Sequence, residues 1–323
     1  MHPRRMRRAI VAAFVLAAIV TASAAAGRIP QAKSLRTCAA AGPYWPTMSL
    51  AITGTNAWIG CKEQRKLVRI DLRSGRAAAT IPLDGAAIAV TSGANALWAL
   101  DDLQTLYRID PARGRITKRI ALGTAAAYNL WFGAGSVWTA DDQGAQVVRV
   151  SPTRNAVTAR IPVGEGPADI AFAGGRALVI DHRDRTLFAV DLATNRSTKL
   201  ATLGGDAPER LAVLAGSLWV TGRGTQLFQV DPATGKTRRT IDIRGTGIDV
   251  VSAGGALWIP VRTATVDATG FPTMTALRRV TTGGRVTTPA TASGRVDVHG
   301  LVAAAGAVWI ADTTGGALYR IAT

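Results

Sequence analysis

The chain has 323 residues, 38 Lys and Arg against 21 Asp and Glu for a net charge of +17, 34 Gly, eight Trp and two Cys. With 48% hydrophobic and 18% charged residues, it cannot be a disordered tail, a disulfide-dense mini-protein or a collagen-like chain. At roughly 150 residues per domain the length suggests two domains, although all-β chains of this size also form one.

From the amino terminus, residues 1–26 read as a secretory signal. Arg4, Arg5, Arg7 and Arg8 precede an apolar run from Ala9 to Ala22, and the small residues Ser23 to Gly27 suit a signal peptidase. The run falls short of the ~20 residues that a membrane-spanning helix needs, so cleavage is expected, with a retained N-terminal anchor as the alternative. Four arginines and no acid leave with the segment, which takes +17 to +13. The expected location is secreted, or on the periplasmic or cell-wall side. Cys38 and Cys61 are the only cysteines, and an oxidising compartment favours a disulfide between them. Residues 27–44 read as an N-terminal segment and 45–323 as the folded unit.

That unit is repetitive. A small-apolar-Trp element recurs at Trp58, Trp98, Trp138, Leu178, Trp219, Trp258 and Trp309, in steps of 40, 40, 40, 41, 39 and 51 residues, with Leu178 the one break in the Trp series. Each is followed by a second element such as Leu67-Val68-Arg69-Ile70-Asp71 or Leu106-Tyr107-Arg108-Ile109-Asp110, and then a turn such as Asp231-Pro232-Ala233-Thr234-Gly235. There Asp bonds backbone amides and Gly supplies positive φ, so these aspartates are turn formers. In the third repeat four strands are predicted, over Tyr128 to Phe132, Ser136 to Ala140, Gln146 to Ser151 and Ala156 to Ile161. Four strands in about 40 residues, seven times over, predict an all-β chain: a seven-bladed β-propeller of four-stranded antiparallel blades. The last repeat ends after its third strand. A segment around Ser34 to Thr37 is expected to complete that blade, so that an N-terminal strand closes the ring. An insertion in repeat six, from Arg262 to Thr275, is expected over the face that carries the second-to-third strand turns.

The motifs Leu218-Trp219-Val220-Thr221, Val230-Asp231-Pro232-Ala233-Thr234-Gly235-Lys236 and Ile161-Pro162-Val163-Gly164-Glu165-Gly166-Pro167 resemble the YVTN-type and virginiamycin B lyase-like propeller repeats of exported bacterial proteins. The resemblance covers about residues 45 to 323 and implies the blade fold. For the lyase it implies a His and metal-binding carboxylates in the central cavity. This chain offers His182 and His299 after the signal, and Glu63, Glu165 and Glu209, in no cluster that can be matched residue by residue.

Candidate ligand-binding residues follow from alignment on the Trp. Nine positions before it, on the innermost strand, stand Asn129, Asp169, Arg210 and Asp249 in four successive repeats; three positions after it stand Asp101, Asp141, Asp181 and Asp312. With His182 and His299 these are expected to crowd one face as a polar funnel for a cation, a sugar or another polyol. The same residues also suit structural duty, Arg210 pairing with acidic neighbours and the aspartates capping loops. Basic residues such as Arg73, Arg76, Arg113, Arg115, Lys118, Arg154, Arg160, Lys236 and Arg238 fall on third-to-fourth strand turns and outer strands. They suit an anionic cell-wall or lipid surface. Nucleic acid is excluded as a partner by export and by the lack of any aromatic platform among the charges. The expected function is a monomeric, non-enzymatic scaffold that binds an extracytoplasmic ligand or protein, with no cofactor. The alternative is a metal-assisted lyase or lactonase, with Asn129, Asp169 and Asp249 holding a divalent cation and His182 or His299 as acid and base.

Overall fold

The computed structural model describes residues 27–28, 31–34, 50–205, 207–262, 274–292, 296–298, 300–312 and 316–323. They form seven sheets in succession, over 50–82, 87–121, 131–162, 167–202, 208–242, 246–291 and 300–322, and together these make a seven-bladed propeller. The first blade is typical: Leu50–Thr53, Asn56–Cys61, Lys66–Asp71 and Ala77–Pro82 follow one another in space as in sequence. Among the described residues no helix is long and apolar enough to cross a membrane.

Burial follows strand position. Second strands such as Ala96–Asp101 and Ser136–Asp141 are buried at every residue, because both faces meet a neighbouring blade. Outer strands such as Ala156–Pro162 alternate between exposed and half-buried. Trp98 packs against Leu130, Val137, Val148 and Val150 of the next blade, and Leu178 occupies the matching slot against Leu211, Leu218 and Val220.

Each Trp of the repeat series carries an arginine on its ring. Arg69, Arg108, Arg149, Arg279 and Arg320, on third strands, stack at 5.2 to 5.9 Å from the centroids of Trp58, Trp98, Trp138, Trp258 and Trp309. In the fourth blade Leu178 faces Ala189, so ring and cation are missing together. In the fifth, Gln229 faces Trp219 and the outer-strand Arg239 covers the ring instead. The stacked guanidinium then reaches across the seam: Arg108 Nη1 donates to Pro152 O at 3.0 Å and to Asn155 Oδ1 at 2.8 Å, on the next blade's third-to-fourth strand turn.

Three details differ from the plain repeat. In the third blade the innermost strand is Trp131–Gly133; residues 128–130 leave the ladder after a single bridge between Ala127 and Asp141, so the predicted strand from Tyr128 starts three residues late. In the sixth, the innermost strand is split into Thr246–Gly247 and Val251–Ala253, and Gly27–Arg28 lies parallel on the outer strand Val286–Thr291. In the seventh, Gln31–Ser34 lies antiparallel on Ala317–Ala322. Of the closing segment expected over 34–37, only Ser34 is among the described residues, and the signal, Cys38, His299 and most of the repeat-six insertion also lie outside them.

Candidate functional site

In blades two to six the position nine before the Trp, or before Leu178, coincides with a fault in the innermost strand. The ladder shifts register between Pro167 and Asp169, between Pro208 and Arg210, and between Ala87 and Ala89; at Asn129 and Asp249 it is interrupted altogether. A bulge turns a side chain out of the regular alternation, and here four consecutive faults aim Asn129, Asp169, Arg210 and Asp249 along the channel side of blades three to six.

The structure brings these four together as a chain of links between blades. Asn129 Nδ2 donates to Ala168 O of the fourth blade at 3.4 Å. Asp169, 6% exposed, accepts the backbone N–H of Ile170 on Oδ1 at 2.7 Å and that of Leu211, in the fifth blade, on Oδ2 at 2.8 Å. Arg210 Nε lies 4.0 Å from Asp249 Oδ1 of the sixth blade, an atom that also accepts the Val250 N–H at 2.8 Å. Burial pushes the Asp169 carboxyl up to about 7, against the pull of Arg210 and the two backbone donors and with a push from Asp249. Burial also raises Asp249, again opposed by Arg210. Asp169 therefore holds or releases a proton near neutrality.

This donor set does not fit a hard cation. Asn129 presents its amide N–H to a carbonyl, and three of the four carboxylate oxygens of Asp169 and Asp249 already accept a backbone N–H. Among the described residues no three His, Cys, Asp or Glu side chains gather closely enough to hold a metal ion.

The aspartates three positions after the Trp are buried at the ends of second strands: Asp101 and Asp181 at 0% exposure, Asp141 and Asp312 at 1%. Asp101 accepts from Gly85 N at 3.0 Å, Thr105 N at 2.8 Å and the Tyr107 hydroxyl at 2.7 Å, which burial and this carboxylate push well above the usual phenol range. Asp141 accepts from Ala125 N, Ala126 N, Gly144 N and Gln146 Nε2; Asp181 accepts from Gly166 N, Arg183 N and Asp184 N. Asp101, Asp141 and Asp181 thus each tie the loop arriving from the previous blade to the turn that follows their own strand.

His182 lies on the loop face with its Nε2 at 3.5 Å from Asp142 Oδ1, while Arg183 holds the other oxygen at 2.9 Å. Two neighbours were not legible as site residues. Gln104 accepts the Ala127 N–H at 2.9 Å and the Thr124 hydroxyl at 2.6 Å, linking blades two and three beside the exposed side chains of Leu103 and Tyr128. Glu209 meets Arg223 at 2.6 Å next to Arg210. In the sequence Gln104 stands one place after a turn of no distinctive pattern, so only its cross-blade partners reveal it.

No protein-family profile matches the chain, and no curated protein matches it. Solved structures do. Virginiamycin B lyase from Staphylococcus aureus superposes with a TM-score of 0.72 over 86% of this chain and 95% of that one, at 14% identity. The fold is that of the virginiamycin B lyase propeller. A chain of the mitotic checkpoint complex superposes at 0.73 with 10% identity over 100% of both chains, and BamB from Moraxella catarrhalis at 0.58 with 15% identity over 84% of this chain and 81% of that one. At these identities the likeness to the lyase propeller is one of fold, and the chemistry must be argued from the residues themselves.

Proposed function

We propose that the chain is an exported propeller acting outside the cytoplasm as a scaffold that binds a ligand or protein, without lyase or lactonase chemistry. The observation that carries this reading is the use made of the channel's polar groups: Asn129, Asp169, Arg210 and Asp249 bond the next blade or one another, and the buried second-strand aspartates bond loops. Binding then falls to the loop face, where Leu103 is 63% and Tyr128 50% exposed on either side of the rigid Gln104–Ala127 link. A large apolar side chain held in place on an otherwise polar rim is the kind of group that anchors a partner. Export rests on residues 1–26, and the mass of the protein recovered outside the cytoplasm tests it.

The test against catalysis is metal analysis of the purified protein with thermal denaturation in divalent salts, alongside incubation with quinupristin, which a catalytically inactive variant of the Staphylococcus aureus lyase holds. The expected result is no stoichiometric metal, no cation-dependent rise in midpoint and intact quinupristin. One metal per chain that is lost on Asp169→Ala, or consumption of the quinupristin, would overturn the reading.

A further inference from the structure

The first-to-second and third-to-fourth strand turns of every meander lie at the end of the sheet opposite the loop face. Near the axis this turn face is made of short side chains, as in Ala94-Asn95, Ala134-Gly135, Gly174-Gly175 and Ala215-Gly216. Towards the rim it carries exposed cations in six successive blades: Arg76, Arg115, Arg154, Arg196, Lys236 and Arg285. The carboxylates of the same turns stay ionised but offset these cations only in part, because there are four of them and two already pair with other arginines, Asp110 with Arg113 and Asp231 with Arg238. Asp71, Asp110, Asp191 and Asp231 each accept two backbone N–H bonds within their own turn, at 2.7 to 3.2 Å, which holds all four carboxyls below the usual range. In blades three and six Ser151 and Thr281 replace the Asp and leave no acid at all.

The crown is also rigid. The turns of blades two to six are each pinned by an arginine from the blade before: Arg69 to Pro111 O, Arg108 to Pro152 O, Arg149 to Leu192 O, Arg176 to Ala233 O and Arg239 to Gly283 O, at 2.8 to 3.4 Å. Basic residues thus divide into two groups. Those that stack on Trp or meet carbonyls hold the ring together, and those at the turn tips face solvent from a fixed frame.

We propose that this turn face docks flat on an anionic lipid surface, with the six turn cations meeting phosphate headgroups at once. A planar array meets a planar surface without distortion, whereas a linear polyanion would have to curl round the rim to reach more than two or three blades. Adsorption is electrostatic: the exposed large hydrophobic side chains among the described residues, Leu103 and Tyr128, are both on the other face, so nothing here inserts into the acyl region. The loop face is left pointing away from the membrane, open to its ligand. The docking does not depend on what that ligand is.

The experiment is sedimentation of the exported protein with phosphatidylcholine vesicles, with and without phosphatidylglycerol, across a salt series. The expected result is binding to the anionic vesicles alone, falling steeply with salt. In the variant Arg115→Gln/Arg154→Gln/Arg196→Gln/Lys236→Gln, affinity should fall by about fivefold per residue, several-hundred-fold in all. A second variant with the same charge loss on the loop face, Arg65→Gln/Arg185→Gln/Arg223→Gln/Arg244→Gln, should bind nearly as well as the parent. An equal loss in both variants would reduce the effect to net charge and overturn the oriented docking. Equal binding to neutral vesicles would overturn it too, as would tight binding to soluble linear polyphosphate with none to vesicles.

Discussion

Asp169 in the fourth blade accepts the backbone N–H of Leu211 in the fifth at 2.8 Å, across 42 residues of sequence. A carboxylate at the wall of a propeller channel is the natural place to look for a ligand, yet this one spends its lone pairs on holding two blades in register. Its burial and its partners together make stability, not only chemistry, depend on its protonation.

The first prediction concerns pH. Asp169 titrates near 7 in the folded chain and near the ordinary aspartate value of about 3.9 when unfolded. Between these values the folded state binds more protons than the unfolded one, so stability falls as pH rises through that window and is fully present below it. Asp249, also raised, adds to the slope in the same direction. Thermal midpoints measured from pH 4 to pH 8 should decline, and Asp169→Asn should flatten the decline while costing about 1–3 kcal/mol for the N–H acceptor it removes. A midpoint that rises across the same range contradicts this account.

The second concerns the buried aspartates. Asp101→Ala leaves the amides of Gly85 and Thr105 and the Tyr107 hydroxyl without their shared acceptor in a site of 0% exposure. Urea unfolding should show a loss of about 3 kcal/mol or more, as should Asp141→Ala and Asp181→Ala. Residues kept for ligand binding would instead tolerate alanine with little loss, and that outcome is readily distinguished.

A third prediction tests the arginine and tryptophan clasp. Arg149 lies over Trp138 at 5.2 Å and donates to Leu192 O at 2.8 Å and Asn195 Oδ1 at 2.9 Å. Lysine keeps the charge but not the flat, forked group, so Arg149→Lys should cost about 1–2 kcal/mol in urea unfolding. Trp138→Ala should cost about 3–5 kcal/mol, because it also opens a cavity between blades. If lysine proves neutral, charge alone suffices and the stacked geometry is idle.

The fourth is covalent. We expect Cys38 and Cys61 to be joined in the exported protein, tying the N-terminal segment to the first blade, where Cys61 is 1% exposed. A thiol count on unreduced, denatured protein should return none, and two per chain would refute the pairing.

Local patterns carried much of this fold. The spacing of Trp58, Trp98 and Trp138, the turn chemistry of Asp231 to Gly235 and the largely apolar second strands each depend on neighbours within a few residues, and they fix strands, turns and blade number. The same alignment picked out Asn129, Asp169, Arg210 and Asp249 as one set. What it could not supply was their employment, because a polar side chain's role is decided by which donors face it, and those come from the next blade. The register faults that aim these side chains into the channel are equally invisible in one strand, since a bulge exists only relative to its partner. So too with the positive charge: sequence counts Arg149 and Arg154 alike, five residues apart, and only the tertiary structure sends one onto a Trp ring and leaves the other at a turn tip facing solvent.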